Sequence, residues 1–285
     1  VTDSSNKKPI ENLIITTKTL NTVTALSPLK HRLNAQSTIL FTQNGMGTME
    51  EVTTSLFPDP QTRPQYLAAI TSHGVYSTAA FCSVHAGLAN VTISRVTAQH
   101  PDFKGMGVRE ESDSQSQYLI DHIVAASILN AKEVEPEEFV FLQLEKLVAN
   151  AMMNPLTVIF NCKNGELFNR EPIIKLMKRL LAEVSDVILA MPELQGDAVV
   201  PKRFSREKLE GVVLDLAEKT AKNTSSMLQD AKAGRKTEID YINGYVVRRG
   251  KELGVDVMNN ERLVEMIKGA KVISEGEIEK YFPCS

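Results

Sequence analysis

Residues 139–166 read FVFLQLEKLVANAMMNPLTVIFNCKNGE. The apolar positions Val140, Leu144, Leu147, Val148, Ala151 and Met152 recur at the spacing of one helix face, so the stretch is expected to be an α-helix packed on a core. Lys146, Asn150 and Asn154 fall four apart within it and drift only slowly around the helix. One amine and two amides buried without partners would cost about 1–3 kcal/mol each, so the stripe must face either water or another polar group. Pro155 lacks the N–H that would serve a carbonyl one turn back, which places a bend inside the stripe. A solvated face on an amphipathic helix would account for such a triplet by itself.

Upstream of this helix the chain reads as strands. Residues 10–17 (IENLIITT), 37–44 (STILFTQN) and 66–72 (YLAAITS) are short apolar runs of the kind that form buried parallel strands. Lys18 and Asn44 stand at the carboxyl ends of the first two, the edge of an open α/β sheet where ligands bind. A helix is expected through Arg32, and another opens at Gly45-Met46-Gly47, with Glu50 and Glu51 in its first turns, where the dipole favours acids. His73-Gly74 reads as a turn, and residues 78–85 and 90–96 as a strand pair joined through Ala86-Gly87. Residues 100–116 are polar and linker-like. Beyond them helical periods run over 116–131, 136–163, 170–190, 205–232, 235–253 and 259–270.

Strands first and helices after predict an α/β protein of two domains, a sheet domain over 1–110 and an all-helical domain over 111–285. A GxGxxG turn does not occur in the sequence, and Gly45-Met46-Gly47 lacks the third position. The first domain is therefore expected to be a partial Rossmann-like sheet whose first strand and glycine-rich turn are absent from the chain.

Composition narrows the partners. With 32 basic against 35 acidic residues, charge offers no reason to expect nucleic acid or an anionic membrane. No apolar run approaches the roughly 20 residues that cross a bilayer. Cys82, Cys162 and Cys284 are odd in number, scattered and without metal-ligand spacing, so reduced thiols in an intracellular protein and no metal site are expected.

Two further constellations lie in the helical half. Asn223 and Ser226, three apart in NTSSMLQD (223–230), would share a helix face, where capping or packing explains small polar residues more often than a ligand does. Glu238 follows Thr237 near a helix start, where a carboxylate answers the dipole. Asn164-Gly165, at the end of the opening stretch, would ordinarily be a turn.

Taken with TTK (16–18), QNGMG (43–47), SHG (72–74) and HAG (85–87), the segments LEKLVANAMMNPLTVIFNCKNGEL (144–167), NTSSMLQD (223–230) and TEIDYINGYVV (237–247) resemble the ketopantoate reductases, NADPH-dependent enzymes of pantothenate and coenzyme A biosynthesis. The resemblance spans the chain, and the form of SHGVY and of residues 58–64 is nearer the fungal members. It implies a 6-phosphogluconate dehydrogenase-like helical domain, Lys146 as the catalytic proton donor, and Asn150, Asn154, Asn164, Asn223 and Ser226 as substrate contacts. Lys18, Asn44, Val75 and Glu238 match cofactor-side positions. The implied ligands are NADPH and a small 2-keto acid, with a homodimer allowed by the apolar helical faces, and the cytoplasm or the mitochondrial matrix as compartment. A reading from another class, a reductase-derived binding or assembly protein that no longer binds cofactor, rests on the missing glycine-rich turn.

Overall fold

The first strand, β1 (Asn12–Ile15), is followed by a short helix α1 (Thr22–Leu26) flanked by 3-10 turns, in place of the single helix expected through Arg32. Then come β2 (Thr38–Phe41), α2 (Thr48–Leu56) and β3 (Gln65–Thr71), the three strands pairing in parallel with Ile15 beside Phe41 and Phe41 beside Ala68. The next two strands, β4 (Gly74–Ala79) and β5 (Cys82–Gly87), form a separate antiparallel hairpin, and β6 (Val91–Arg95) returns antiparallel to β3. Residues 82–87 therefore pair backwards with 74–79, around a turn where Phe81 takes φ 59°, and not forwards with 91–95 through Ala86-Gly87 as the sequence suggests. Helix α3 (Ser114–Ala125) precedes β7 (Ala131–Glu133), which closes a five-stranded sheet of order β1-β2-β3-β6-β7.

Side-chain alternation explains why this sheet is buried on both faces. Ile39, Phe41, Tyr66 and Ala68 point to one side, against Met49 and Val52 of α2; Leu40, Leu67 and Ala69 point to the other, against Leu119 and Ile120 of α3.

This computed structural model describes residues 7–103 and 114–283. The chain divides into two compact units, Val1–Gln143 and Leu144–Ser285. The first thus reaches well past the division expected at 110, because α3 covers the sheet and β7 extends it; of the linker expected over 100–116, the described ends are ordered, with Pro101–Phe103 a buried 3-10 turn and 114–116 the start of α3, while residues 104–113, like Cys284, lie outside the described residues.

The division falls inside α4 (Pro136–Ile159), the helix of the opening stretch. The second unit is helical: α5 (Asn164–Leu167), α6 (Glu171–Ala190), α7 (Val200–Arg203), α8 (Arg206–Lys219), α9 (Ser226–Lys232), α10 (Asn243–Leu253), α11 (Met258–Lys268) and α12 (Ile278–Tyr281). The run expected as one helix over 205–232 is broken between α8 and α9. Its carbonyls at Ala221 and Asn223 turn aside to accept the N–H groups of Gly165 and Asn164, at 3.0 and 3.1 Å. Among the described residues no helix is long and apolar enough to cross a membrane.

Candidate functional site

In the first unit, three of the residues singled out from sequence follow the carboxyl ends of three adjacent parallel strands. Lys18 comes three residues after β1 and is exposed, Asn44 three after β2 and is half-buried, and Val75 sits at the start of the exposed hairpin after β3. The loops that carry the first two are tied together. Thr42 Oγ1 donates to the Ile15 carbonyl at 2.7 Å, and Gln43 Nε2 donates to Thr22 Oγ1 at 3.0 Å. Gly45 and Gly47 take φ of 80° and 92°, a conformation that side chains resist, so the loop can turn sharply into α2. The buried Asp102 carboxylate accepts the Gly47 N–H at 2.8 Å and holds that turn.

The remaining candidates all belong to the second unit and are linked along α4. Lys146 and Asn150 are half-buried, and Asn154 is buried. Desolvation lowers the pKa of the Lys146 ammonium and the Glu238 carboxylate partly offsets it, leaving it at about 8. Glu238 is itself buried, just ahead of the 3-10 turn Ile239–Tyr241 and not within a helix. One residue beyond Asn150, the Ala151 carbonyl is left without its helical donor by Pro155, and Asn243 Nδ2 takes the place at 3.1 Å.

Thr157 ties the next turn to α9. Its hydroxyl donates to the Asn154 carbonyl at 2.7 Å and lies 2.6 Å from Ser225 Oγ. Ser225, one residue before the expected Ser226, is the true N-cap, accepting the Leu228 N–H at 3.0 Å. Ser226 opens the helix and is exposed; Asn223 lies in the turn before it, so the two do not share a helix face as their spacing suggests. Asn164 opens α5, is not part of a turn, and donates through Nδ2 to Thr220 Oγ1 at 3.0 Å. Its Oδ1 is buried with no partner among the described residues. Gly165 is required there: a Cβ would stand 2.5 Å from that of Ala221.

Asn150, Asn154, Asn164, Asn223 and Ser226 are therefore carried on segments hydrogen-bonded to one another, with Lys146 and Glu238 electrostatically paired on the same unit. Lys18, Asn44 and Val75 form a second group on the other. Asn243, Thr157 and Ser225 escape the sequence reading. Only Pro155 could have pointed to the first, because a proline inside a helix implies a donor from elsewhere.

A family model described as ketopantoate reductase PanE/ApbA matches residues 1–98, and one described as its C terminal matches residues 139–271. The probable 2-dehydropantoate 2-reductase of Schizosaccharomyces pombe is 34% identical over 265 residues, covering 92% of this chain and 75% of that protein. The ketoisovalerate reductase BEA2 of Gibberella fujikuroi is 31% identical, covering 98% and 68%. Among solved structures, the probable 2-dehydropantoate 2-reductase panE from Bacillus subtilis superposes with a TM-score of 0.69 at 26% identity, over 94% of this chain and 80% of its own. Two matched models that together take in the strand loops and the polar helix, and a relative this similar over most of both lengths, establish that the chain belongs to the ketopantoate reductase family.

Proposed function

We propose that this chain reduces 2-dehydropantoate to pantoate with NADPH, with Lys146 as proton donor. The observation that carries the reading is the Lys146 ammonium, its pKa held at about 8 by burial against the opposing charge of Glu238, on a helix that also presents Asn150 and Asn154. A lysine near neutrality has a proton it can both hold and give, which general acid catalysis at working pH requires.

The first unit's edge suits a nicotinamide dinucleotide. Lys18 offers an exposed ammonium, Asn44 an amide, and Gly45 and Gly47 two loop positions without a Cβ, all after parallel-strand carboxyl ends. Lys18, Asn44 and the backbone at Val75 would hold the cofactor. When bound, the reduced nicotinamide supplies hydride to C2 of the keto acid.

The protein's own groups do the rest. The Lys146 ammonium hydrogen-bonds the ketone oxygen, stabilises negative charge as it develops there, and transfers its proton to give the alcohol. Asn150, Asn154 and Asn223 hold the substrate's carboxylate and hydroxyl through amide groups, and Ser226 adds a hydroxyl. Asn164 Oδ1, buried and unpartnered among the described residues, is an acceptor suited to a substrate hydroxyl. Fixing these groups limits the poses open to the keto acid. The reading is of a cytoplasmic enzyme, in keeping with the free thiols of Cys82 and Cys162.

A Lys146→Ala variant tests the assignment. The expected result is a kcat lowered by roughly 10²–10⁴-fold, with NADPH affinity, from nucleotide fluorescence, nearly unchanged. Equal losses in both, or none, would remove Lys146 from the chemistry. Wild-type protein that binds neither NADPH nor keto acid would favour the non-catalytic reading. Comparing 2-dehydropantoate with 2-ketoisovalerate decides the substrate: the second lacks the hydroxyl, and a site built to bind that group rejects it strongly.

A further inference from the structure

Pro155 sits in the interior of α4, between Asn154 and the rest of the helix, and cannot donate to the Ala151 carbonyl. That carbonyl lies in the turn that separates Asn150 from Asn154. It is served from α10 by Asn243 Nδ2 at 3.1 Å, and the Asn243 side chain is fully buried. The second hydrogen of the same amide goes to Asn260 Oδ1 at 3.0 Å.

A fixed carboxylate decides which way these amides face. Glu183 accepts the Asn259 backbone and side-chain N–H groups through Oε1, at 2.9 and 2.7 Å, and the Asn260 backbone and side-chain groups through Oε2, at 2.9 and 2.7 Å. A carboxylate only accepts, so Asn260 must turn its nitrogen toward Glu183 and the Leu180 carbonyl, leaving its oxygen toward Asn243. Asn243 must then present nitrogen, which is what the Ala151 carbonyl needs. The chain of bonds runs from α6 through α11 to α10 and ends on α4, at the one carbonyl that Pro155 leaves unserved.

The same short segment that carries Asn243 begins with Glu238, whose charge acts on Lys146. We infer that Asn243 is a positioning residue for the reductase site: by replacing the hydrogen bond Pro155 removes, it sets the helix turn that carries Asn150 and Asn154 and holds the Glu238 segment against α4. This rests on the proposed reductase reading for its catalytic consequence, and on geometry alone for the bond.

The test is a cycle of Asn243→Leu and Pro155→Ala, since an alanine in place of the proline returns a helical N–H to the Ala151 carbonyl and makes the outside donor redundant. In the wild-type background, Asn243→Leu is expected to speed amide exchange over residues 147–159 by about tenfold or more. It should also lower kcat by about tenfold or more, with NADPH affinity held within about twofold. In the Pro155→Ala background both effects should shrink to about twofold. Effects of equal size in the two backgrounds would overturn the inference, as would a folded Asn243→Leu protein with unchanged exchange. Should Asn243→Leu fail to fold alone, its recovery by Pro155→Ala supports the inference, and failure to recover, repeated with Asn243→Ser, counts against it. A wild-type chain without turnover would sink the reductase reading, while the exchange comparison still decides the role of Asn243.

Discussion

Glu238 is the charge that opposes the desolvation of Lys146: burial lowers the pKa of the ammonium, the neighbouring carboxylate partly offsets it, and the net value is about 8. The proton donor must be protonated when the keto acid binds. Reduction measured as kcat/KM should therefore be flat on the acid side of that value and fall tenfold per pH unit once pH has risen through it. Replacing Glu238 by Gln removes the charge that raises the pKa and leaves the desolvation, so the falling limb should move to lower pH. A pH-rate profile of the two proteins reads the shift directly; a limb that stays in place would detach Glu238 from Lys146.

How far the fold can be read in advance follows from where each signal resides. The strands beginning near residues 12, 38 and 65 are legible because they belong to a sheet covered on both faces and so are largely apolar. β7, the tripeptide Ala-Lys-Glu over Ala131–Glu133, carries no apolar run and exists only because β6 offers it an edge. The hairpin misleads for a related reason: its turn uses Phe81 at positive φ, with no glycine to announce it, while Gly87 suggests a turn where a strand ends. At the site, the side chains named in advance come from the resemblance and from their spacing on α4. Those that hold them, Thr157, Ser225 and Asn243, act between segments up to 92 residues apart, and local pattern carries no trace of such pairings.

Thr157 makes a separable contribution. Its side chain is fully buried, with the hydroxyl 2.6 Å from Ser225 Oγ and donating to the Asn154 carbonyl at 2.7 Å. Thr157→Val keeps the shape but strands the Ser225 hydroxyl, at a cost of about 1–3 kcal/mol in unfolding free energy from denaturant titration. Because Ser225 caps α9, the first turn with Ser226 should loosen, and KM for the keto acid should rise more than kcat falls. Unchanged KM in a destabilised protein would make the pair purely structural.

The contact between Gly165 and Ala221 sets the most demanding local constraint. A Cβ at 165 would meet the Ala221 Cβ at 2.5 Å, its Cα at 2.8 Å and its carbonyl oxygen at 3.0 Å. Gly165→Ala must therefore push the two segments apart, at an expected cost of about 1–3 kcal/mol, seen as a lower Tm. Separation also stretches the bond from the Asn164 N–H to the Asn223 carbonyl, so two proposed substrate contacts should move together and KM should rise. Removing the opposing methyl with Ala221→Gly relieves the shortest clash but leaves the backbone ones, and glycine adds its own entropic cost. The double variant should recover only part of the lost Tm. Full recovery would show that the side chain alone set the spacing, and that the backbone approach at this junction has slack to spare.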